Sequence, residues 1–318
     1  MIDRGASLRR HILQVMFKYP SSVHADKLET TLWIDTSHAV ITRYRDLISK
    51  LDNKVNKSPS ADQRRGNGRF GRGEEGPVAL RKLMTRFRSF LSAEENFWSD
   101  LVLRLARTFD LTAAAKAISA LSLSATDPAE LASSKKAAGS RGSLVLSDSP
   151  VPEDVPEEIK DKKLLFLQKS LISLGDLARY REQYNEGGGR SRQGHEAQAA
   201  RGNKKGGPPN LQVPRPRNYT KASECYRQAK LLLPDEGNPS NQLAILSLYG
   251  GDSFAAVMHY YRALCVKRAF PTSRENLHKT LQKVYDAYRK TSEVLGDPVE
   301  TLQHDVLVLH ALWQLKPS

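Results

Sequence analysis

Arg179 and Tyr180 stand side by side in the stretch LISLGDLARYREQY, residues 171–184. An arginine on a helix otherwise built for packing has two uses. It can pair with Asp176, three residues earlier on the same face. It can also offer its planar fork to a phosphate, with the tyrosine hydroxyl as a further donor. The residues by themselves leave both open.

Two Gly-rich segments carry a second, diffuse set of cations. RGNGRFGRG, residues 65–73, holds Arg65, Arg69 and Arg72 in the manner of Arg-Gly tracts that touch RNA without folding. The segment 186–218 carries Arg190, Arg192, Arg201, Lys204, Lys205, Arg215 and Arg217, with Glu196 among them. Such stretches bind nucleic acid without sequence preference and with steep salt dependence; the alternative is a spacer of tolerated charge. The whole chain is basic, 49 Lys and Arg against 35 Asp and Glu, for a net charge of +14. That balance points to an acidic or phosphorylated partner.

Other chemistries find no residues. There is no P-loop, no GxSxG and no HExxH, so an enzyme is not expected, nor a cofactor. Cys225 and Cys265 are the only cysteines, outside any CxxC or zinc spacing. Each lies in a helical pattern, where a small buried thiol is the usual case. The expected compartment is reducing, nucleus and cytoplasm. The first 20 residues lack the apolar run of a signal peptide, and no window approaches the length of a membrane span.

The elements that must hold Arg179 and Tyr180 are helices. Three segments lack apolar periodicity and read as long disordered loops: 53–77, 124–160 and 186–218. Between them, Leu28, Leu32, Val40, Ile41, Tyr44, Leu47, Ile48 and Leu51 recur at helical spacing over 28–51. Leu80, Leu83, Met84, Phe87 and Phe90 share one side of 78–91. Ser92-Ala-Glu-Glu95 reads as a capping box opening a new helix with Phe97, Trp98, Leu101, Val102, Leu105 and Phe109. Thr272-Ser-Arg-Glu275 reads as another, leading Leu277, Leu281, Val284 and Tyr288. Residues 299–315 close the chain with Leu302, Val306, Leu309 and Leu312, and look like the start of a longer helical region, as in a fragment. No strand alternation is visible, and the expected fold is all-α.

Ala222, Tyr226, Ala229 and Pro234 have the spacing of the second helix of a tetratricopeptide repeat. Thirty-four residues on, the period of that repeat, stand Ala256, Tyr260 and Ala263. Its first helix requires a Leu followed by a small residue 13 and 12 positions before the first alanine, and Leu243-Ala244 supplies them. For the earlier repeat the same rule lands in the Gly/Pro-rich segment, whereas Leu174-Gly175 has the pair on a real helix. Residues 186–218 are then an insertion within one repeat, and Gly175 is the small residue at a helix–helix contact, worth its helix cost of ~1 kcal/mol.

GDLARYREQY, YTKASECYRQAKLLLPDEGNPSNQLAILSLYGGD and YYRALCVKRAFPTSRENL together resemble the telomerase-associated "ever shorter telomeres" proteins and their relatives, the SMG adaptors of nonsense-mediated mRNA decay. The stretch around Trp33 and the Phe97-Trp98 pair fit the family's N-terminal helices. The resemblance implies a 14-3-3-like and tetratricopeptide antiparallel helical array: a 14-3-3-like domain over 1–185, a basic insertion over 186–218, and repeat-like helices over 219–318. It implies binding of a phosphoserine peptide, on a phosphorylated decay helicase or another phosphoprotein. Gly175 to Tyr180 match the GD-x-x-RY setting of the 14-3-3 Arg-Tyr pair. Aligned on Trp33, Arg45 takes the place of the pocket's other arginine and His38 that of its lysine, a weaker phosphate partner when neutral. Seven residues make about two helical turns, so both face one way. Asn241 stands for the asparagine that fixes the peptide backbone, or serves the helix start at Asn238-Pro239. The rival implication is a telomerase subunit that holds telomerase RNA or telomeric DNA through its basic loops.

Overall fold

The computed structural model describes residues 2–22, 25–57, 75–123, 155–185, 217–290 and 297–315. Helix α1 covers Ile2–Lys18. Helix α2, Ala25–Thr31, runs through a π-helical stretch, Leu32–His38, into α3, Ala39–Lys57. Helix α4 is Glu75–Thr108, followed by a 3₁₀ turn at Thr112–Ala114 and α5, Ala115–Ala120. Then come α6, Glu157–Gln183, α7, Thr220–Leu232, and α8, Asn238–Tyr249. The last are α9, Ser253–Leu264, α10, Thr272–Tyr288, and α11, Pro298–Leu315. Among the described residues there is no strand, only an isolated parallel bridge between Glu236 and Arg268. The chain is all-α, as its periodicity predicts.

The helices form two compact units, and the chain passes from one to the other inside α4, after Leu101, and inside α6, after Gly175. A further crossing falls between Asn218 and Tyr219, where the repeat-like helices are expected to begin, and α4 and α6 each serve both units.

In the first unit a buried ion pair organises α1, the π stretch and α4. Arg9 forks onto Glu94, Nη1 to Oε1 at 2.9 Å and Nη2 to Oε2 at 2.8 Å. The same Nη2 donates to Thr36 Oγ1 at 3.1 Å and Ser37 Oγ at 3.2 Å. Ser37 Oγ in turn donates to Glu94 Oε2 at 2.6 Å and accepts from Trp98 Nε1 at 3.0 Å. The wider π turn carries an extra residue, which brings the adjacent Thr36 and Ser37 both inward to this network. The Arg9 guanidinium also lies 4.0 Å from the centre of the Phe97 ring, so its two terminal nitrogens are bonded in plane and its face meets an aromatic ring.

That network explains one departure from the periodicity. Helix α4 does not restart at Ser92. Glu94 and Glu95 are buried and serve Arg9 and Arg181, not a helix end, so one helix runs through. The second capping box is not formed either. Helix α10 starts after Pro271, Glu275 accepts from Lys279 Nζ at 2.6 Å, and Ser273 Oγ turns to Asn241. The loops are also shorter than expected at their edges, since α3 runs to Lys57, α4 starts at Glu75 and α6 at Glu157.

In the second unit the repeat spacing is a burial pattern. Ala222, Tyr226 and Ala229 on α7 and Ala256, Tyr260 and Ala263 on α9 are all buried, as are Leu243 and Ala244 on α8. Gly175 faces the Tyr226 ring so closely that a Cβ there would lie 2.7 Å from Cδ1 and 2.9 Å from Cζ. Gln168 Nε2 of α6 donates to the carbonyl oxygen of Ala229 at 3.2 Å. Helix α11 buries Leu307, Val308 and Ala311, while Leu302, Leu309 and Leu312 are exposed. The helix is apolar on more than one side, and periodicity alone selected the outer one. Tyr288 is likewise exposed. Of the two thiols, Cys225 is buried but Cys265 is exposed at the end of α9.

Candidate phosphate-binding site

Arg179 and Tyr180 lie in the last turns of α6, in the first unit. Helix geometry puts Arg179 over Asp176, and Nη2 donates to Oδ1 at 2.6 Å. The pair is largely buried, with Arg179 at 11% side-chain exposure. The pairing with Asp176 that the spacing allows is formed. The carboxylate sets the fork's orientation, and Arg179 Cζ stands 5.1 Å from the centre of the Tyr180 ring.

Arg45, on α3, comes to the same ring. Its Cζ lies 5.3 Å from the Tyr180 centre. Two guanidinium groups from helices far apart in sequence thus gather around one phenol, both within cation–π range. A row of rings sets this approach. Tyr44 stacks on Phe87 with centroids 5.0 Å apart and planes at 19°. Phe87 meets Tyr184 edge-on, also at 5.0 Å. Tyr44 adjoins Arg45, and Tyr184 lies one turn past Tyr180, so Phe87 of α4 holds both phosphate candidates in register. Spacing did not single out this role. The available signal was two aromatics, Tyr44 next to Arg45 and Tyr184 one turn past Tyr180; nothing local marked Phe87. Arg181, which flanks Tyr180 on its other side, is taken by the buried Glu95.

His38 is the last residue of the π stretch, where residues five apart face alike. It accordingly lies beside Trp33, ring centres 6.1 Å apart, and Trp33 packs edge-on against Trp98 at 5.4 Å. Asn241 belongs to the second unit. It is 2% exposed, and its Oδ1 accepts from Ser273 Oγ at 3.0 Å and Asn276 Nδ2 at 3.2 Å. Helix α8 begins at Asn238 with Pro239 in its first turn, so Asn241 is no cap; it ties α8 to α10. Arg65, Arg69, Arg72, Arg190, Arg192, Lys204 and Lys205 lie outside the described residues. Among the described residues no three His, Cys, Asp or Glu side chains gather as a metal site requires. No described helix is long and apolar enough to cross a membrane.

Two family models match the chain. "Telomerase activating protein Est1" matches residues 27–185, half of the chain, and "Est1 DNA/RNA binding domain" matches 222–313. Nonsense-mediated mRNA decay factor SMG7 of Arabidopsis thaliana is 32% identical over 213 residues, 66% of this chain and 15% of the relative. Telomerase-binding protein EST1A of Danio rerio is 30% identical over 131 residues, 41% of this chain and 6% of the relative. Among solved structures, the C. elegans SMG5–SMG7 complex matches with a TM-score of 0.53 and 15% identity, over all of this chain and 57% of that one. The crystal structure of Est1 and Cdc13 matches at 0.57 and 14%, over 96% and 49%. At such identities these two show the fold, a 14-3-3-like and tetratricopeptide-type helical array. The chain spans only a small part of the curated relatives it matches. The motif around Arg179 and Tyr180, the helical array and both family models agree: the chain belongs to the Est1 and SMG family.

Proposed function

We propose that this chain is an adaptor, not an enzyme, and that its first unit binds a phosphoserine peptide. The biological setting is nonsense-mediated mRNA decay, telomere maintenance or both, in the nucleus and cytoplasm, with a phosphorylated decay helicase or another phosphoprotein as the ligand. One observation carries the reading: Arg45 and Arg179 meet around Tyr180. A phosphoserine brings about −1.5 to −2 charges and three acceptor oxygens. Two forks and a phenol hydroxyl match those acceptors, and the partial burial of Arg179 strengthens each bond by excluding water. Titration calorimetry with a phosphoserine peptide and its unphosphorylated twin tests it. The phosphorylated form binds and the plain form does not; equal affinities would reject the reading.

A second reading is favoured by the match of 222–313 to a DNA/RNA-binding family model. In it the chain also holds nucleic acid, telomerase RNA or telomeric single-stranded DNA. Electrophoretic mobility shift with single strands of either kind tests that; no shift at low salt would reject it.

A further inference from the structure

The two arginines around Tyr180 are not equivalent. Arg45 reaches the ring from α3, is half-buried, and makes no ion pair among the described residues. Arg179 already holds an anion. Its Nη2 donates to Asp176 Oδ1 at 2.6 Å, within one turn of α6, and the two side chains are only 11% and 15% exposed. On the other side of Tyr180, Arg181 and Glu95 neutralise each other. The charges that a ligand at this ring meets are therefore those of Arg45, Arg179 and Asp176, two cations and one carboxylate.

That carboxylate does more than hold a side chain in place. A neutral amide oxygen at position 176 would accept the same bond from Nη2; what aspartate adds is a negative charge. A phosphate bound to Arg179 contacts the guanidinium that Asp176 contacts, so the two anions lie within a Debye length, ~8–10 Å. Both partners of the pair are largely buried, which leaves little water or salt to screen them. Phosphoserine brings about −1.5 to −2 charges to a site whose own sum is one positive charge. The ligand overshoots it, and the surplus falls on Asp176. The carboxylate is also tethered three residues from its arginine, so its effective concentration never falls.

We infer that Asp176 is a built-in competitor of the phosphopeptide: the carboxylate that orients Arg179 also repels the ligand, and it holds affinity below what the two arginines alone would reach. The peptide then exchanges readily, as an adaptor governed by phosphorylation requires. This rests on the phosphoserine reading above and deepens it, by giving the site a residue that sets how firmly it grips.

The test is Asp176→Asn in the full chain, which keeps an acceptor for Nη2 and removes the charge. Three probes are titrated into wild type and variant: a helicase phosphoserine peptide, the same peptide with Glu at that position, and the plain Ser peptide. The variant is expected to bind the phosphoserine peptide about tenfold more tightly, mostly through slower dissociation. The Glu peptide, with about half the charge, is expected to gain roughly threefold, and the Ser peptide nothing. Circular dichroism checks the fold; should Asp176→Asn unfold, Asp176→Ser is read in the same way. Phosphopeptide affinity that is unchanged or weaker in the folded variant would overturn the competitor and leave Asp176 an orienting residue alone. Equal gains for the phosphoserine and Glu peptides would overturn charge repulsion as the cause. A wild type that binds the phosphoserine and Ser peptides equally would overturn the phosphoserine reading itself, and the competitor with it.

Discussion

Arg179 performs two tasks with one side chain. Its bond to Asp176 fixes the fork, and the fixed fork stands with Arg45 beside Tyr180. Arg179→Glu is expected to abolish phosphopeptide binding, since it puts a carboxylate where the phosphate must sit. Arg179→Ala is expected to cost about 2–5 kcal/mol of binding, the range for a buried, hydrogen-bonded charge pair that loses one partner. Calorimetry reads both, and a variant that keeps wild-type affinity would remove Arg179 from the site. A different arginine, Arg9, bears on stability. Arg9→Met strands the buried Glu94 carboxylate, and a loss of about 3–5 kcal/mol is expected in urea unfolding. Glu94→Gln in the same chain is expected to restore part of it. Arg179 and Tyr180 were legible because they are adjacent and in motif, and Arg45 because its place follows from Trp33. Arg9 was not. Its partners lie 27, 28 and 85 positions away, and nothing local marks a basic residue on α1 as buried.

Small residues set the spacing of the helices, and that spacing is readable. The 34-residue echo of Ala222, Tyr226 and Ala229 in Ala256, Tyr260 and Ala263 became two helices with all six positions buried. Gly175, read as the small residue of a helix contact, is pressed against Tyr226. Gly175→Ala should gain helix propensity yet lose stability by about 1–3 kcal/mol from overpacking. A chemical denaturation midpoint at or above the wild type would show that Tyr226 can yield. What periodicity could not supply is how a helix continues. Ser92-Ala-Glu-Glu95 satisfies a cap pattern, but its acids are drawn into ion pairs, so α4 runs on. The π stretch is equally hidden, because the demand for it comes from Arg9 and Glu94 on other helices. Phe87 packs between Tyr44 and Tyr184, the neighbours of Arg45 and Tyr180. Phe87→Leu is therefore expected to weaken phosphopeptide binding several-fold while the helix content by circular dichroism stays unchanged. Unaltered affinity would mean that the ring row does not set the approach of Arg45.

The whole chain joins the cluster of Arg45, Arg179 and Tyr180 in one unit to repeat-like helices in the other, and carries an insertion between α6 and α7. The insertion's ends are held together. Asn218 N donates to Glu182 Oε1 at 2.8 Å, 36 positions apart, so the chain returns to where it left. Deleting 190–217 is therefore expected to leave the fold and phosphopeptide affinity intact; an unfolded product would refute the insertion and the reading of Gly175 with it. The basic composition sets the expectation of an anionic partner, but composition does not say which cations act together. The most direct measurement of the central claim is the affinity ratio of the full chain for a helicase phosphoserine peptide over its unphosphorylated twin, taken in the wild type and in Arg179→Ala. A ratio of at least about tenfold, some 1.4 kcal/mol, is expected, collapsing toward one in the variant. Equal binding of the two peptides by the wild type, or a ratio that survives the loss of Arg179, would contradict it.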